Sequence, residues 1–361
     1  MYLHERHNWT NFTWDDSIIL PLMSNTRFSQ GRLLGEISDL GFQYKDESET
    51  ETLVSEVLAS SKIEGITLDA VKVRSSISKQ LGLELPKPAL DTRDVDGPVD
   101  VIFDATRNFN EPLTQERLLS WHATLFPSGY SGLHKIRVAS YRDQEMQVVS
   151  GAIGRERIHF DAPSPKLVAD LMNAFIYWFN DDTKTEPLIK AGIAHLWFLT
   201  IHPFDDGNGR IARALTELLL ARSDGSPRRF YSMAEQILAA REEYYDVLEK
   251  TQKGNADITA WLSWFLQTLN KAIDQSSKTI RLVLDRAEFW RKLDGFSLND
   301  RQRMMLGRLK AGFEGKLTTT KWAKICKTSP DTALRDINDL IEKGILKQDS
   351  SGGRSTSYLL P

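Results

Sequence analysis

His202-Pro-Phe-Asp-Asp-Gly-Asn-Gly-Arg210, continued by Ile-Ala-Arg213, gathers a base, a carboxylate, a glycine-framed turn and two arginines within twelve residues. The apolar residues that follow, Ile211, Leu215, Leu218 and Leu219, recur at helical spacing, so the turn runs directly into a helix. Gly207-Asn208-Gly209 permits backbone conformations that a β-carbon forbids, and successive N–H groups can then point into one concavity. The positive end of the helix faces the same place, which makes it a seat for phosphate. Arg210 and Arg213, three apart, share a helical face and can add forked bonds to phosphate oxygens. Asp206 offers a hard oxygen ligand for Mg²⁺, the usual companion of a polyphosphate. His202, held before the turn by Pro203, is placed to accept a proton from a hydroxyl.

Taken singly, each of these residues reads as an ordinary helix start, a buried histidine or a surface arginine. No packing need calls for all of them in this order. The stretch resembles, position for position, the signature of the Fic family, enzymes that mostly transfer AMP from ATP to a hydroxyl side chain of a protein. That resemblance implies a mainly α-helical fold with a Fic-type helical core and a β-hairpin flap. It implies ATP and Mg²⁺ as donor and cofactor. His202 would deprotonate a Ser, Thr or Tyr hydroxyl, and Asp206 would hold Mg²⁺ between the α- and β-phosphates. Gly207, Asn208 and Gly209 would line the anion pocket, with Arg210 on the phosphates and Arg213 reaching the γ-phosphate. The sequence contains no G-x-x-x-x-G-K-[ST] pattern, so the P-loop route to phosphate binding is excluded.

The 361 residues allow two or three domains with real cores. A hydrophobic content of 41% and a charged content of 26% are those of a soluble globular protein. The net charge of −3 gives no whole-chain argument for nucleic acid or membrane. A lone cysteine, Cys326, excludes an internal disulfide and fits a reducing compartment. Without a signal-like apolar segment near Met1 or a run of about 18 apolar residues, a cytoplasmic protein with no membrane partner is expected. His195 and His202 are seven apart, but no His-x-x-x-His pair or cysteine cluster exists, so a dedicated zinc site is not expected.

Four regions are predicted along the chain. Residues 1–94 form an N-terminal helical region, with an aromatic opening (Trp9, Phe12, Trp14) and a helix over 49–63 carrying Leu53, Val57 and Leu58. The opening, with Gln30-Gly-Arg-Leu-Leu-Gly35, resembles the N-terminal domain of unassigned role that precedes one subgroup of Fic proteins. Residues 95–275 form the catalytic core, with helices over 114–126, 164–180 and 186–200, the last introduced by Thr185 as cap and Pro187 in the first turn. Between 129 and 163, Val138, Met146, Val148, Val149, Ile158 and Phe160 alternate with polar residues, which predicts a β-hairpin looping at 151–154. In Fic enzymes a hairpin here, the flap, pins the target's backbone. Tyr244 and Tyr245 on a later amphipathic helix read as packing by themselves. The family resemblance places such a pair beside the adenine, with Gln252 where an Asn often stands.

Residues 276–296 are predicted as a helical linker and 297–361 as a winged helix-turn-helix. This last region holds twelve Lys or Arg against seven Asp or Glu, unlike the acidic remainder. Helices are expected over 299–311, 319–325 and 330–343, then a hairpin tipped by Gly352 and Gly353. Asp331, Thr332, Arg335 and Asn338 would form the recognition face. Asp331, Asp336 and Asp339 are poor company for phosphates, so DNA binding and protein docking both stay open, as does homodimer formation.

Leu53, Val57, Ser60 and Glu64 are spaced 4, 3 and 4 apart, which places Glu64 on the packed stripe at a helix C-terminus. The helix dipole disfavours a carboxylate there, so a cationic partner is expected. Ser60-Ser-Lys-Ile-Glu64-Gly65 also resembles the inhibitory helix of many Fic proteins, [S/T]-x-x-x-E-[G/N], whose glutamate pairs with the second motif arginine in the γ-phosphate's place. That implies Glu64 against Arg213. The resulting expectation is a protein adenylyltransferase acting on a protein hydroxyl and autoinhibited by Glu64. Two rivals are a de-AMPylase using Glu64 to orient water, and a DNA-binding regulator using the Fic fold as a nucleotide sensor.

Overall fold

The computed structural model describes residues 1–38, 40–83, 91–150, 157–310, 313, 315–349 and 356–361, and it is mainly helical. A 3-10 turn (Leu3–Glu5) leads into α1 (Asp16–Ser38), α2 (Phe42–Ile63), α3 (Ala70–Gln80), α4 (Arg93–Arg107) and α5 (Gln115–Leu125). Two short antiparallel pairs follow, β1 (Tyr130–Ser131) with β2 (His134–Lys135) and β3 (Gln147–Ser150) with β4 (Arg157–Asp161). Then come α6 (Pro165–Asp181), α7 (Pro187–Ile201), α8 (Asn208–Asp224), α9 (Met233–Ala239), α10 (Arg241–Gln252) and α11 (Thr259–Leu293). The chain ends with α12 (Asp300–Lys310), α13 (Thr319–Cys326), α14 (Pro330–Glu342), β5 (Lys347–Gln348) and β6 (Tyr358–Leu359). It divides into two compact units, Met1–Arg281 and Leu282–Pro361.

The first unit is organised around α7, which is buried from Leu188 to Ile201 on every side, as a helix apolar all round must be. Pro187 stands at its first position, and the Glu186 carboxylate caps it by accepting from the amides of Leu188 and Ile189. The cap is therefore Glu186 and not the expected Thr185, because a proline suits the position immediately after the cap. The most extensive helix pairing in the unit joins α7 to α8. The hairpin expected over 129–163 is two separate pairs, and its proposed loop at 151–154 lies outside the described residues.

The helix that carries Glu64 begins at Phe42, seven residues before the expected start. Its early turns are polar and give little apolar periodicity. Glu49 is buried there through ion pairs with Arg107 and Arg228, a tertiary device with no signature in spacing. This helix packs against α3, α4, α8 and α9. Deeper along it, Glu56 is 2% exposed, and one carboxylate oxygen accepts from Ser232 Oγ at 2.6 Å and the Ala234 amide at 3.0 Å. Burial and the neighbouring Glu217 carboxylate push Glu56 up to about 8, against the bonds from Ser232 and Ala234 and the charge of Arg213.

In the second unit Met305, Leu306, Trp322, Ile337 and Leu340 close a core of their own. Asp336 is turned inward and takes a two-pronged bond from Arg301, at 2.7 and 2.9 Å. Asp339 pairs with Lys343. Two of the four acids on α14 are thus neutralised, while Asp331, Leu334, Arg335 and Asn338 are exposed. The tip of the expected terminal hairpin, residues 351–355, lies outside the described residues. Among the described residues no helix is long and apolar enough to cross a membrane.

Glu56 makes stability pH-dependent in an unusual direction. A carboxyl raised above its unfolded value binds more protons folded than unfolded, so its contribution is full at low pH and declines as pH rises through about 8. Glu56→Gln keeps an acceptor for Ser232 and Ala234 but cannot ionise. Its urea-unfolding free energy is expected to fall less steeply than wild type between pH 6 and 9, and parallel profiles would remove Glu56 as the cause.

Candidate active site

Two backbone features build the site where α7 gives way to α8. His202 terminates α7 in the left-handed region, at φ 51° and ψ 60°. Gly207 precedes α8 at φ 84°, where a β-carbon would also strike the Phe126 ring. The intervening turn is closed by Asn208, whose side chain accepts from the Phe204 amide at 3.0 Å and donates to the Phe204 carbonyl at 2.8 Å. Asn208 therefore shapes the turn with its side chain directed inward, where the sequence reading had it lining the pocket.

The imidazole of His202 has a defined tautomer. Nδ1 lies 3.3 Å from the Leu199 carbonyl, which can only accept, so Nδ1 carries the proton and Nε2 keeps its lone pair. Burial lowers its pKa to about 4; the Leu199 bond opposes this and the Arg142 charge adds to it. His202 is consequently a neutral base at physiological pH. His195, the other histidine of α7, is buried between Thr216 Oγ1 and Tyr244 Oη, both at 2.9 Å, and is held as part of the core.

Around the start of α8, charge is arranged for an anion. The helix begins without a side-chain cap. Arg210 is 7% exposed and lies over the Phe126 ring at 4.7 Å, and its Nε and Nη2 have no hydrogen-bond partner among the described residues. A buried guanidinium with idle donors is costly unless a ligand completes it. Arg213, 2% exposed, donates from Nε to Ser60 Oγ and from Nη2 to the Ser60 carbonyl and Glu64 Oε1, each at 2.8 Å. Burial works against its charge, but Glu64 and Tyr244 outweigh that and raise its pKa.

Glu64 follows α2 as its C-cap. Its side chain is 29% exposed, so it stands past the packed stripe on which its spacing had placed it. A β-carbon built on Gly209 would collide with the Glu64 carboxylate. The carboxylate thus lies directly on the first turn of α8, where the helix dipole favours negative charge.

Asp206 accepts from its neighbouring Gly207 amide and from the Ser131 hydroxyl of β1. Among the described residues no group of three or more His, Cys, Asp or Glu side chains gathers as a metal cage. One carboxylate beside unpaired arginine donors does fit Mg²⁺ shared with phosphate oxygens, because Mg²⁺ uses one or two carboxylates and keeps waters. The tyrosine pair is divided: Tyr244 is buried against His195, while Tyr245 is 37% exposed with its hydroxyl on the Ile63 carbonyl. Gln252 is buried and donates to Thr200.

Residues 112–220, which include this whole turn, match the Fic/DOC family. The chain carries a Fic/DOC domain. Residues 2–83 match a domain of unknown function, DUF4172. The protein adenylyltransferase Fic of Aedes aegypti is 25% identical over 250 residues, covering 67% of this chain and 45% of that protein. A probable protein adenylyltransferase of Aquifex aeolicus (strain VF5) is 26% identical over 195 residues, covering 54% of this chain and 52% of its own. The chain thus matches about half the length of these curated relatives. A Fic family protein from Desulfovibrio desulfuricans G20 superposes with a TM-score of 0.56 at 21% identity, covering 95% of this chain and 96% of its own, a likeness of fold.

Around this turn several contacts escaped the sequence reading. Ser131 on Asp206, Phe126 under Arg210, Arg142 on the His202 carbonyl and Arg241 on the Ile63 carbonyl all come from distant segments. Only Ser60 had a signal, its place four residues before Glu64. Arg210 gives a direct test of the anion seat. Arg210→Met retains packing on Phe126 and is expected to keep or raise the melting temperature, since no protein bond is lost. It should weaken ATP binding by about tenfold or more, the value of a charge-assisted bond. Calorimetry showing unchanged ATP affinity would place the anion seat elsewhere.

Proposed function

We propose that this protein transfers AMP from ATP to a hydroxyl side chain of a partner protein and that Glu64 holds this activity down. The observation that carries the reading is the anion seat: an uncapped helix start, a buried Arg210 with idle donors, and an intramolecular carboxylate already resting on it. The names of the curated relatives point to the same chemistry at the level of the family.

In this mechanism the target hydroxyl oxygen attacks the α-phosphorus as its proton passes to Nε2 of His202. The bond from the α-phosphorus to the bridging oxygen breaks, and pyrophosphate leaves. Arg210, Arg213 and the amides at the start of α8 stabilise the charge on the phosphates, so catalysis is chiefly positioning and preorganised electrostatics. Asp206 would hold Mg²⁺, which supplies charge neutralisation on the polyphosphate when bound. Tyr245, the exposed member of the pair, is the better candidate to meet the adenine. The pair β3–β4 offers exposed Val149 and Ile158 to the target, and Glu249 on α10 anchors it through Arg157 and His159. We read residues 297–361 as a winged helix, a docking module separable from the chemistry.

Autoinhibition follows from the same geometry. Glu64 neutralises Arg213 and fills space at the first turn of α8, so the terminal phosphate of ATP must displace it. Glu64→Gly is expected to raise labelling from α-³²P ATP and tighten ATP binding about tenfold, in line with one freed charge-assisted contact. Combining it with Arg213→Ala should remove most of that gain. Adding His202→Ala to Glu64→Gly should cut labelling by about 10²–10⁴ while ATP still binds. Equal labelling by folded wild type and Glu64→Gly would refute inhibition, and labelling that survives loss of His202 would refute the base.

A further inference from the structure

Arg142 lies in the irregular segment between β2 and β3 and is 2% exposed. A guanidinium buried so deeply normally pairs with a carboxylate. Here every hydrogen bond of its side chain among the described residues goes to the main chain. Nε donates to the His202 carbonyl at 2.8 Å, Nη1 to the Gln144 carbonyl at 2.9 Å, and Nη2 to the carbonyls of Pro163 and Ile201. The Arg142 amide also donates to the Pro203 carbonyl at 2.9 Å. These acceptors belong to three places: the end of α7, the approach to β3 and the segment after β4.

Each place matters for transfer. His202 holds a left-handed backbone, a conformation that strains a residue with a β-carbon and persists only if the surroundings hold it. Bonds to the carbonyls of His202 and Pro203 fix the peptide planes on both sides of the Pro203 residue. The cation also meets the negative end of the α7 dipole, which favours its burial. Gln144 and Pro163 flank the β3–β4 pair, so the same planar fork ties the flap to the backbone of the base. Lysine, a point charge without a fork, cannot reproduce this.

We propose that Arg142 is a positioning residue that locks the His202 backbone and both ends of the flap to one another, so that base and target keep a common register. It rests on the transfer reading above. Its effect on His202 can nevertheless be measured without turnover.

The experiment uses the full chain in the Glu64→Gly background, with Arg142→Lys and Arg142→Met. ATP affinity is read by calorimetry, labelling by transfer from α-³²P ATP, and the imidazole by ¹⁵N-histidine NMR, with the His202 signal assigned by its loss in His202→Asn. ATP affinity should stay within about twofold, since Arg142 does not reach the anion seat. Labelling should fall about 10²-fold in Arg142→Met, the scale of a misplaced reacting group, and less in Arg142→Lys. The His202 titration, lowered by burial to about 4 in the wild type, should move upward from its parental position in Arg142→Met, where a neighbouring positive charge is lost, and stay low in Arg142→Lys. Separation of the two variants in this way supports positioning by a fork plus a charge. The proposal is overturned if either folded variant keeps parental labelling with the His202 signal unmoved. A parallel loss of melting temperature, ATP affinity and labelling in Arg142→Lys also overturns it, because that is a general structural role. If the Glu64→Gly parent does not label at all, the transfer reading fails, and the His202 signals alone decide whether Arg142 positions that residue.

Discussion

A guanidinium buried at the start of a helix has to be answered by an anion or by oriented dipoles, and Arg213 imposes that constraint on this fold. Its partners come from α2: the hydroxyl and carbonyl of Ser60 and the carboxylate of Glu64. The helix that supplies Glu64 is therefore also part of the packing that completes the site. Glu56 extends the same attachment two turns earlier, reaching Ser232 and the start of α9. Removing one partner from a buried ion pair leaves a charge stranded, which is why such a contact organises its surroundings even where its net stabilisation is small.

The two arginines of the turn divide the work. Arg213 is fully engaged by α2 apart from Nη1, whereas Arg210 keeps two idle donors beside an aromatic ring. A partly exposed carboxylate is a breakable partner, because water can take over its solvation when it leaves. A phosphate arriving at the uncapped helix start would meet Arg210 first and compete with Glu64 for Arg213. In the proposed function, regulation and donor binding are thus the same electrostatic question asked of one helix terminus.

Much of the site was legible from one stretch of sequence because it is local. Residues 202–213 span one turn and the first helical turns that follow, so chain connectivity alone brings the base, the carboxylate and both arginines together. Glu64 was legible for a different reason, the resemblance of Ser60-Ser-Lys-Ile-Glu64-Gly65 to an inhibitory helix, whereas helical spacing alone misplaced it on the packed stripe. The start of α2 was hidden because buried ion pairs, and not apolar periodicity, hold its first turns. The split of Tyr244 from Tyr245 was hidden too, because adjacent residues on a helix face different directions and only packing decides which is inside.

The sequence by itself determined that a glycine-framed turn opens a helix, that Arg210 and Arg213 share a face, and that a proline precedes the turn. Spacing and backbone freedom are properties of the chain, so they need no tertiary partner. Only the tertiary structure decided that Glu64 would rest on Gly209 and Arg213, that Asn208 would turn inward, and that Arg142 would grip the His202 carbonyl. Those contacts join residues as much as 149 positions apart in the case of Glu64 and Arg213. Their geometry is set by how whole helices pack, and neither local propensity nor periodicity carries that information.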